Sequence, residues 1–276
     1  MKKLVLALVT LAFAGIGGRA EAVYQFQGSD TLAGVITDAI IAAGMNNELG
    51  YLGGGSGKGE EAIVKGDQGI APMSRDMKAD AIEKGKTRGV SFVDHVIALD
   101  GVGVFVNKAN QLAALDIPLI QKIFTCQITD WRDVPGANRS GRINAFRRND
   151  VSGTTDTFKN LVGIAKFGDC VTVLAETVDI AEKTASDQWA IGYSGHTALR
   201  DNNKCVKIAR GDGSPAVDLN VATVRSFAYP LARKLHIFEV SGAAKPNATE
   251  AKFLKKVLDR SFLDPIVQNN EFYTLN

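Results

Sequence analysis

The feature that most limits what this chain can fold into is a unit that recurs along it. Each unit has a short apolar strand, a loop with glycine or hydroxyl side chains, and a helix. The four loops of this kind span residues 28–32, 53–59, 73–75 and 147–158. Strands that alternate with helices throughout a chain are typical of α/β proteins. We therefore predict an α/β fold with mostly parallel sheets flanked by helices.

The loop at residues 147–158 has the chemistry of an anion-binding site. Ser152 and Thr154 supply hydroxyl groups, and Gly153 lets the backbone approach a ligand closely. The helix predicted to follow would point free N–H groups and the positive end of its dipole at the loop. Arg148 adds a permanent charge and a forked donor that suits a tetrahedral oxyanion. An ordinary capped helix explains this loop equally well when it is taken alone.

The first loop repeats that arrangement near the start of the chain. A strand predicted at residues 23–27 enters the loop, and a helix is predicted from Leu32 to about Ala43. Thr31 would then stand at a helix start, where backbone N–H groups face a ligand.

The second loop is the most glycine-rich stretch of the chain, at residues 53–59. It fails the pattern of a nucleotide-binding P-loop, because Leu52 and Gly59 stand where a glycine and a hydroxyl residue are needed. The loop suits the approach of the Ser56 hydroxyl and nearby amides to a small ligand. A flexible glycine turn is the alternative.

Helices are also predicted after the second and third loops. The one after the second loop runs from Glu60 to Lys65, and the one after the third ends near Lys84. Ser74 would lie at the start of the latter, with Arg75 beside it. Taken alone, Ser74 reads as an ordinary helix N-cap.

Residues 1–22 have the pattern of a secretion signal. Lys2 and Lys3 precede an apolar run at residues 4–18, and the segment ends in a small-x-small cleavage motif. The run is short for a membrane span, and a buried N-terminal helix is the alternative. We predict that the mature protein begins near Val23 and is exported to the periplasm, or secreted.

Charge and length exclude some classes of protein. The whole chain carries a formal charge of +2, and the predicted signal peptide carries the same excess, so the mature protein is formally neutral. A neutral protein has no general basic surface for nucleic acid, and any anion site must be local. The remaining residues, about 254, can form one large domain or two smaller ones.

Other predicted elements complete the α/β pattern. The main ones are strands at 90–93, 96–106, 143–146, 171–175, 190–195 and 205–209, helices at 117–124, 178–185, 249–260 and 262–269, and an extended crossing segment at 227–238.

The four loops together resemble a known family. The motifs are Gly28-Ser29-Asp30-Thr31-Leu32, Gly54-Gly55-Ser56-Gly57-Lys58-Gly59, Met73-Ser74-Arg75 and Arg148-x-Asp150-x-Ser152-Gly153-Thr154. In this order they are similar to those of PstS-like proteins, the exported phosphate-binding proteins of the phosphate-specific ABC importer. Residues 123–131, 190–193 and 229–233 match further landmarks of that family.

The resemblance implies a two-lobed, type II periplasmic binding protein with its ligand cleft between the lobes. The chain would cross between lobes near residues 103–107 and 225–229. Lobe one would comprise residues 23–104 plus 227–276, and lobe two residues 105–226. The resemblance also implies a monomer, inorganic phosphate as ligand, and the membrane permease of an ABC transporter as partner.

The ligand set also follows from the resemblance, residue by residue. The residues expected at the phosphate are Thr31, Leu32, Ser56, Ser74, Arg75, Arg148, Ser152, Gly153 and Thr154, with Ser29, Asp30 and Asp150 in secondary roles. Asp150 would be the carboxylate that positions Arg148.

Arg75 departs from the family pattern. Well-studied members have an aspartate there, which accepts the proton of phosphate and repels sulfate, an anion without a proton. Asp30 or Asp76 would have to replace this acceptor. Phosphate is the ligand that the resemblance implies; sulfate or another tetrahedral oxyanion is the alternative.

Three cysteines, Cys126, Cys170 and Cys205, remain in the mature chain. An exported protein can form disulfides, and an odd number leaves one thiol over. We predict Cys126–Cys170, because both lie in the same expected lobe, with Cys205 as a buried strand thiol. The sequence leaves the other pairings open.

The sequence does not favour an enzyme. His95, His196 and His236 are scattered without metal-ligand spacing, and nothing activates a nucleophile. We therefore predict no catalytic residues, no metal and no cofactor. A secreted adhesion or structural relative without a transport role is a further alternative.

Overall fold

The computed structural model describes residues 23–150, 152–195, 198–270 and 272–275. The predicted signal peptide, residues 1–22, lies outside this part of the chain. Among the described residues, no helix is long and apolar enough to span a bilayer.

Strands and helices alternate along the chain, as expected for an α/β protein. The strands are β1 (Tyr24–Gln27), β2 (Leu49–Leu52), β3 (Ile70–Met73), β4 (Val90–Asn107), β5 (Ala114–Asp116), β6 (Asn144–Arg148), β7 (Val171–Leu174), β8 (Ala190–Gly195), β9 (Asn203–Cys205), β10 (Lys207–Ala209) and β11 (Ala232–Gly242). The helices are α1 (Ala33–Ala42), α2 (Ser56–Lys65), α3 (Ala79–Thr87), α4 (Ile117–Phe124), α5 (Gly153–Val162), α6 (Thr177–Ser186), α7 (Val221–Arg225), α8 (Ala248–Val257) and α9 (Arg260–Asn269). Short 3-10 helices span Asp30–Leu32 and Trp131–Asp133.

The largest sheet of the described chain contains seven strands. Six follow in the order β3-β11-β4-β8-β6-β7, and β9 also pairs with β4. Strands β3, β11, β4 and β8 pair antiparallel in turn, whereas β6 is parallel to β7 and β8. Two parallel pairs, β1–β2 and β10–β5, complete the strand pairing. The seven-stranded sheet is thus mixed rather than mostly parallel, because the long strands β4 and β11 lie side by side in opposite directions.

Strand β4 connects the two halves of the molecule. Its first part, Val90 to Gly101, pairs with β11, and its second part, Val102 to Asn107, pairs with β8 and β9. From Ile97 onward the strand is buried, which explains its almost continuous apolar sequence. It therefore belongs to both halves.

Two large hydrophobic cores lie on either side of this connection. One packs β1, β11 and helices α1, α8 and α9 around buried residues such as Leu32, Ile36 and Phe253. We call the half around it lobe one, together with α2, β3 and α3, and the other half lobe two. The residue boundaries predicted for the lobes remain a prediction.

An aromatic cluster fixes helix α5 in the core of lobe two. The rings of Phe158 and Tyr193 stack with centroids 3.8 Å apart, and Phe124 packs edge-on against both. The Tyr193 hydroxyl also lies 2.8 Å from the Thr155 hydroxyl in the first turn of α5. Truncating such a buried aromatic costs about 3–5 kcal/mol. The start of α5 is therefore held rigidly.

The structure joins Cys126 and Cys170 in a disulfide and leaves Cys205 as a free thiol. The bond joins two positions of lobe two that are 44 apart in sequence, and closing a loop of that size stabilises a chain by about 4 kcal/mol on the loop-entropy model. Burial raises the pKa of the Cys205 thiol to about 12. This thiol is therefore protonated at neutral pH.

Candidate anion-binding site

The first turn of α5 forms one wall of the candidate site. Strand β6 ends at Arg148, and Ser152 caps α5 with its hydroxyl oxygen, which accepts a 3.4 Å hydrogen bond from the Thr155 N–H. Gly153 and Thr154 follow as the first residues of the helix and are buried. Since the N–H groups of a first turn have no partner within the helix, this wall can donate to an anion.

Two serines from lobe one lie against that turn. Ser56 begins α2, and Ser74 follows β3; both are fully buried. Their hydroxyl oxygens are 3.3 Å apart, and the Ser74 N–H donates to the Ser56 oxygen at 3.0 Å. A Cβ on Gly153 would collide with both hydroxyl groups. Only a glycine lets α5 approach lobe one this closely.

Ser74 does not lie at a helix start as predicted, and the alternative interpretation as a helix N-cap is wrong too. Helix α3 begins at Ala79 with Lys78 as its N-cap, so Ser74 lies before the helix, at the carboxyl end of β3. Helix α2, by contrast, begins at Ser56 rather than at Glu60 as predicted. The Ser56 hydroxyl is therefore at a helix start and Ser74 is brought to it by the end of a strand.

Thr31 brings a hydroxyl from the loop after β1 to the same place. Its oxygen lies 3.0 Å from the Thr154 oxygen, so the two predicted ligand hydroxyls meet across the cleft. Leu32 is fully buried and is the N-cap residue of α1. Residues from three separate loops of lobe one thus converge on one helix start of lobe two.

Arg148 is the buried cation of lobe two, with only 1% of its surface exposed. One terminal nitrogen donates to Asp30 Oδ2 at 2.9 Å, and the other donates to Thr177 at 2.7 Å. Its Nε is buried without a hydrogen-bond partner among the described residues. A buried donor without a partner is costly, and an anion bound here would supply one.

Asp150 does not position Arg148 as predicted. Its carboxylate pairs instead with Arg147 at 2.9 Å, and its side chain is 72% exposed. The Arg148 side chain crosses to lobe one, so its carboxylate partner is Asp30, which sequence proximity could not indicate.

Asp30 is held in place by lobe one. Its second oxygen, Oδ1, accepts a 2.5 Å hydrogen bond from the Gly54 N–H in the glycine-rich loop. The neighbouring Ser29 is buried, and its hydroxyl has no partner among the described residues. Burial and the nearby Asp30 charge raise the pKa of Tyr51 well above its ordinary value, so its hydroxyl stays neutral and donates to the Ser29 carbonyl.

Arg75 does not project into the site as expected for a ligand-binding arginine. Its guanidinium binds two carboxylates, Glu60 at 2.7 Å and Asp156 at 2.8 Å. Burial by itself would lower the pKa of this guanidinium, but its bonds and attraction to these two carboxylates raise the pKa above the ordinary value. Its positive charge is therefore neutralised by carboxylates of the protein itself.

Arg233 is a site residue that was not among the ligands predicted from the sequence. It lies on β11, is 5% exposed and pairs with the fully buried Asp100. It also donates to the hydroxyl oxygens of Thr154 at 3.2 Å and Thr31 at 3.4 Å and to the Ser74 carbonyl at 3.5 Å. The available signal was a charged residue among the apolar positions of β11, which requires a buried partner.

One group of potential metal ligands lies near the site. It consists of His236, Asp94 and Asp76, whose donor atoms lie within 4.8 Å of one another. The His236 Nδ1 is already 2.7 Å from Asp94, and the Asp76 side chain is 90% exposed. A buried histidine that is hydrogen-bonded to the half-exposed Asp94 accounts for this geometry without a metal.

A cavity of about 380 Å³ opens beside these residues, between the lobes. Its lining includes Arg75, Lys78, Arg233 and His236 from lobe one and Thr157 from lobe two. The site therefore lies next to a passage to solvent. The arrangement as a whole can hold a small anion among hydroxyls, helix N–H groups and arginines.

These features agree with comparisons to known proteins. A family model described as the PBP superfamily domain matches residues 18–260, so the chain belongs to the PBP superfamily. Within it, the predicted resemblance to PstS-like proteins is confirmed. The chain is 30% identical over 227 residues to the phosphate-binding protein PstS of Staphylococcus aureus strain USA300, covering 81% of this chain. It spans 66% of the length of that relative.

Solved structures show the same fold. An ABC-type phosphate transport receptor from Vibrio cholerae superposes with a TM-score of 0.74 at 18% identity, covering 91% of this chain and 99% of the other. A phosphate-binding protein from Stenotrophomonas maltophilia gives 0.70 at 15% identity, covering 93% and 91%. The predicted two-lobed type II fold is therefore confirmed.

Proposed function

We propose that this protein is an exported phosphate receptor that delivers inorganic phosphate to the membrane permease of an ABC importer. The names of its relatives support phosphate as the ligand and transport as the role. The export signal and a periplasmic or secreted location are part of this proposal, as are the monomeric state and the lobe boundaries predicted from the sequence.

The observation that carries the proposal is the convergence of donors from both lobes on the start of α5. Burying a dianion requires that nearly every oxygen lone pair receive a hydrogen bond, because an unpaired buried charge is very costly. The hydroxyls of Thr31, Ser56 and Thr154 and the charge of Arg148 lie together here and are largely buried.

On this proposal, the bound anion replaces hydrogen-bond partners that the site residues have in one another. Thr31 and Thr154 now bond each other, and Arg148 bonds Asp30. An anion entering between the lobes accepts the same hydrogen bonds and joins the two walls through its own oxygens. The ligand therefore favours the closed arrangement by contacts that only the closed arrangement provides.

Asp30 is the acceptor we propose for the proton of phosphate. It is the carboxylate bonded to Arg148, whereas Asp76 is 90% exposed and lies outside this cluster. A monohydrogen phosphate can donate its proton to a carboxylate, and sulfate has no proton to donate. Comparable binding of sulfate would make the protein a general oxyanion receptor.

The experiment that tests the assignment compares two cations near the glycine-rich loop and the site. We expect Arg148→Ala to weaken phosphate binding by about a hundredfold or more, because a charged hydrogen bond lost from a buried site costs about 1.5–3 kcal/mol and further donors lose their geometry. Lys58→Ala should change the affinity little, because the Lys58 side chain is exposed. The affinities are measured by calorimetric titration.

Equal and small losses of phosphate affinity in the two variants would contradict the assignment of Arg148 to the binding site. Turnover of a phosphate ester by the wild-type protein would contradict the proposal that it is a receptor and not an enzyme.

A further inference from the structure

Arg75 uses almost all of its hydrogen-bonding capacity on the protein itself. Its Nε donates to Asp156 Oδ2 at 2.8 Å, and its terminal nitrogens donate to Glu60 at 2.7 and 3.2 Å. A further bond of 2.8 Å goes to the Asp76 carbonyl. Four of the five N–H groups of a guanidinium are therefore occupied.

One of these contacts, the bond to Asp156, crosses the cleft. Glu60 lies on α2 and Arg75 follows β3, so both belong to lobe one, whereas Asp156 lies in the first turn of α5 in lobe two. Lys78 of lobe one adds a second cation, 3.3 Å from the same Asp156 oxygen. A neighbouring hydrogen bond, from the Thr157 hydroxyl to the Ser74 carbonyl, also joins the lobes.

Burial makes this contact effective. The side chains of Arg75, Glu60 and Asp156 are 5%, 10% and 15% exposed. Ion pairs at this depth are screened much less by salt than surface pairs. Because Glu60 orients the guanidinium from within lobe one, little side-chain freedom is lost when Asp156 arrives.

We infer that Glu60, Arg75 and Asp156 form a latch that holds the two lobes together, and that Arg75 is a positioning residue and not an anion ligand. The latch differs from Arg148, whose Nε is left without a partner among the described residues. Its effect on affinity rests on the proposed binding function, but its effect on the lobes does not.

The latch and a ligand role for Arg75 predict opposite results for Asp156→Asn. If Arg75 were an anion ligand, removal of the competing carboxylate would strengthen phosphate binding. If the latch favours the closed lobes, its loss lowers the population of the binding-competent state and weakens binding by the same factor. We expect phosphate affinity to fall roughly tenfold, and Asp156→Glu to recover part of it.

The test measures the radius of gyration of the ligand-free protein as well as the phosphate affinity. Small-angle X-ray scattering of phosphate-stripped Asp156→Asn should show a larger radius of gyration than the wild type. Glu61→Gln is the matched control, because Glu61 neighbours Glu60 on α2 but pairs only with the exposed Lys65 among the described residues. Its scattering and its phosphate affinity should equal those of the wild type.

The outcomes distinguish failure of the latch from failure of the proposed phosphate-binding function. An unchanged radius of gyration with unchanged or tighter phosphate binding in Asp156→Asn overturns the latch. If the wild type binds no phosphate but Asp156→Asn still opens the molecule, the latch stands and the proposed function fails.

Discussion

Three arginines reach the cleft, and each is neutralised by different carboxylates. Arg148 pairs with Asp30, Arg233 with Asp100, and Arg75 with Glu60 and Asp156. The sequence does not indicate which carboxylate pairs with which arginine, because every one of these pairs joins residues at least 15 positions apart. Arg148 could be predicted from its loop, whereas the environments of Arg75 and Arg233 depend on which elements pack together.

On the proposed function, selectivity between phosphate and sulfate depends on Asp30. We expect Asp30→Asn to raise sulfate affinity relative to phosphate by at least about tenfold, because the repulsion between a carboxylate and a proton-free anion is removed. Competition titrations of the two anions measure this ratio.

Asp76→Asn is the control for that experiment, because Asp76 was the other candidate acceptor and its side chain is 90% exposed. The ratio of sulfate affinity to phosphate affinity in Asp76→Asn should equal that of the wild type. A selectivity change in Asp76→Asn but not in Asp30→Asn would show that the acceptor has been assigned to the wrong residue.

At the scale of elements, strongly patterned segments were predictable. Helix α4 and strand β8 have the predicted bounds, residues 117–124 and 190–195. Strand β4 is continuous where two strands were predicted, because its polar residues Asp94 and His95 find partners on β11, in His236 and Glu239. Pairing of that kind cannot be read from the pattern of one segment.

The approach of α5 to lobe one depends on Gly153. We expect Gly153→Ala to reduce phosphate affinity by about a hundredfold or more, because the added methyl group would meet the Ser56 and Ser74 hydroxyls and keep the lobes apart. Alanine suits a helix better than glycine, so thermal stability should fall little. Calorimetric titration and thermal unfolding measure the two effects.

Asn160→Ala is the matched control on the same helix, because Asn160 is exposed. Full phosphate affinity in Gly153→Ala would mean that α5 does not approach lobe one in the bound state.

At the scale of the whole molecule, all five tyrosines of the sequence pack in or against the two cores, three of them buried and Tyr24 and Tyr51 partly buried. Burial is the main cause that raises the pKa of Tyr24, Tyr51, Tyr193, Tyr229 and Tyr273. For Tyr273 the pKa rises from 10.0 to about 12. The folded state therefore holds neutral phenols that the unfolded state would ionise.

This difference predicts the direction of the alkaline response. Below about pH 10 the phenols are neutral in both states, so their contribution to stability is fully present. As the pH rises from about 10 to about 12, the unfolded chain loses protons first, and the free energy of unfolding falls. Denaturant titrations at about pH 8 and about pH 11 measure this fall in the free energy of unfolding, with tyrosinate absorbance as a second readout. Equal stability at both pH values would contradict the burial of these hydroxyls.

The most direct test of the central claim is a calorimetric titration of the phosphate-stripped mature protein with phosphate and with sulfate, at about pH 6 and about pH 8.5. These two values lie on either side of the second ionisation of phosphate, near pH 7 in water, so the two protonation states of the ligand are compared. We expect tight one-to-one binding of phosphate and little heat from sulfate. Binding of neither anion would contradict it.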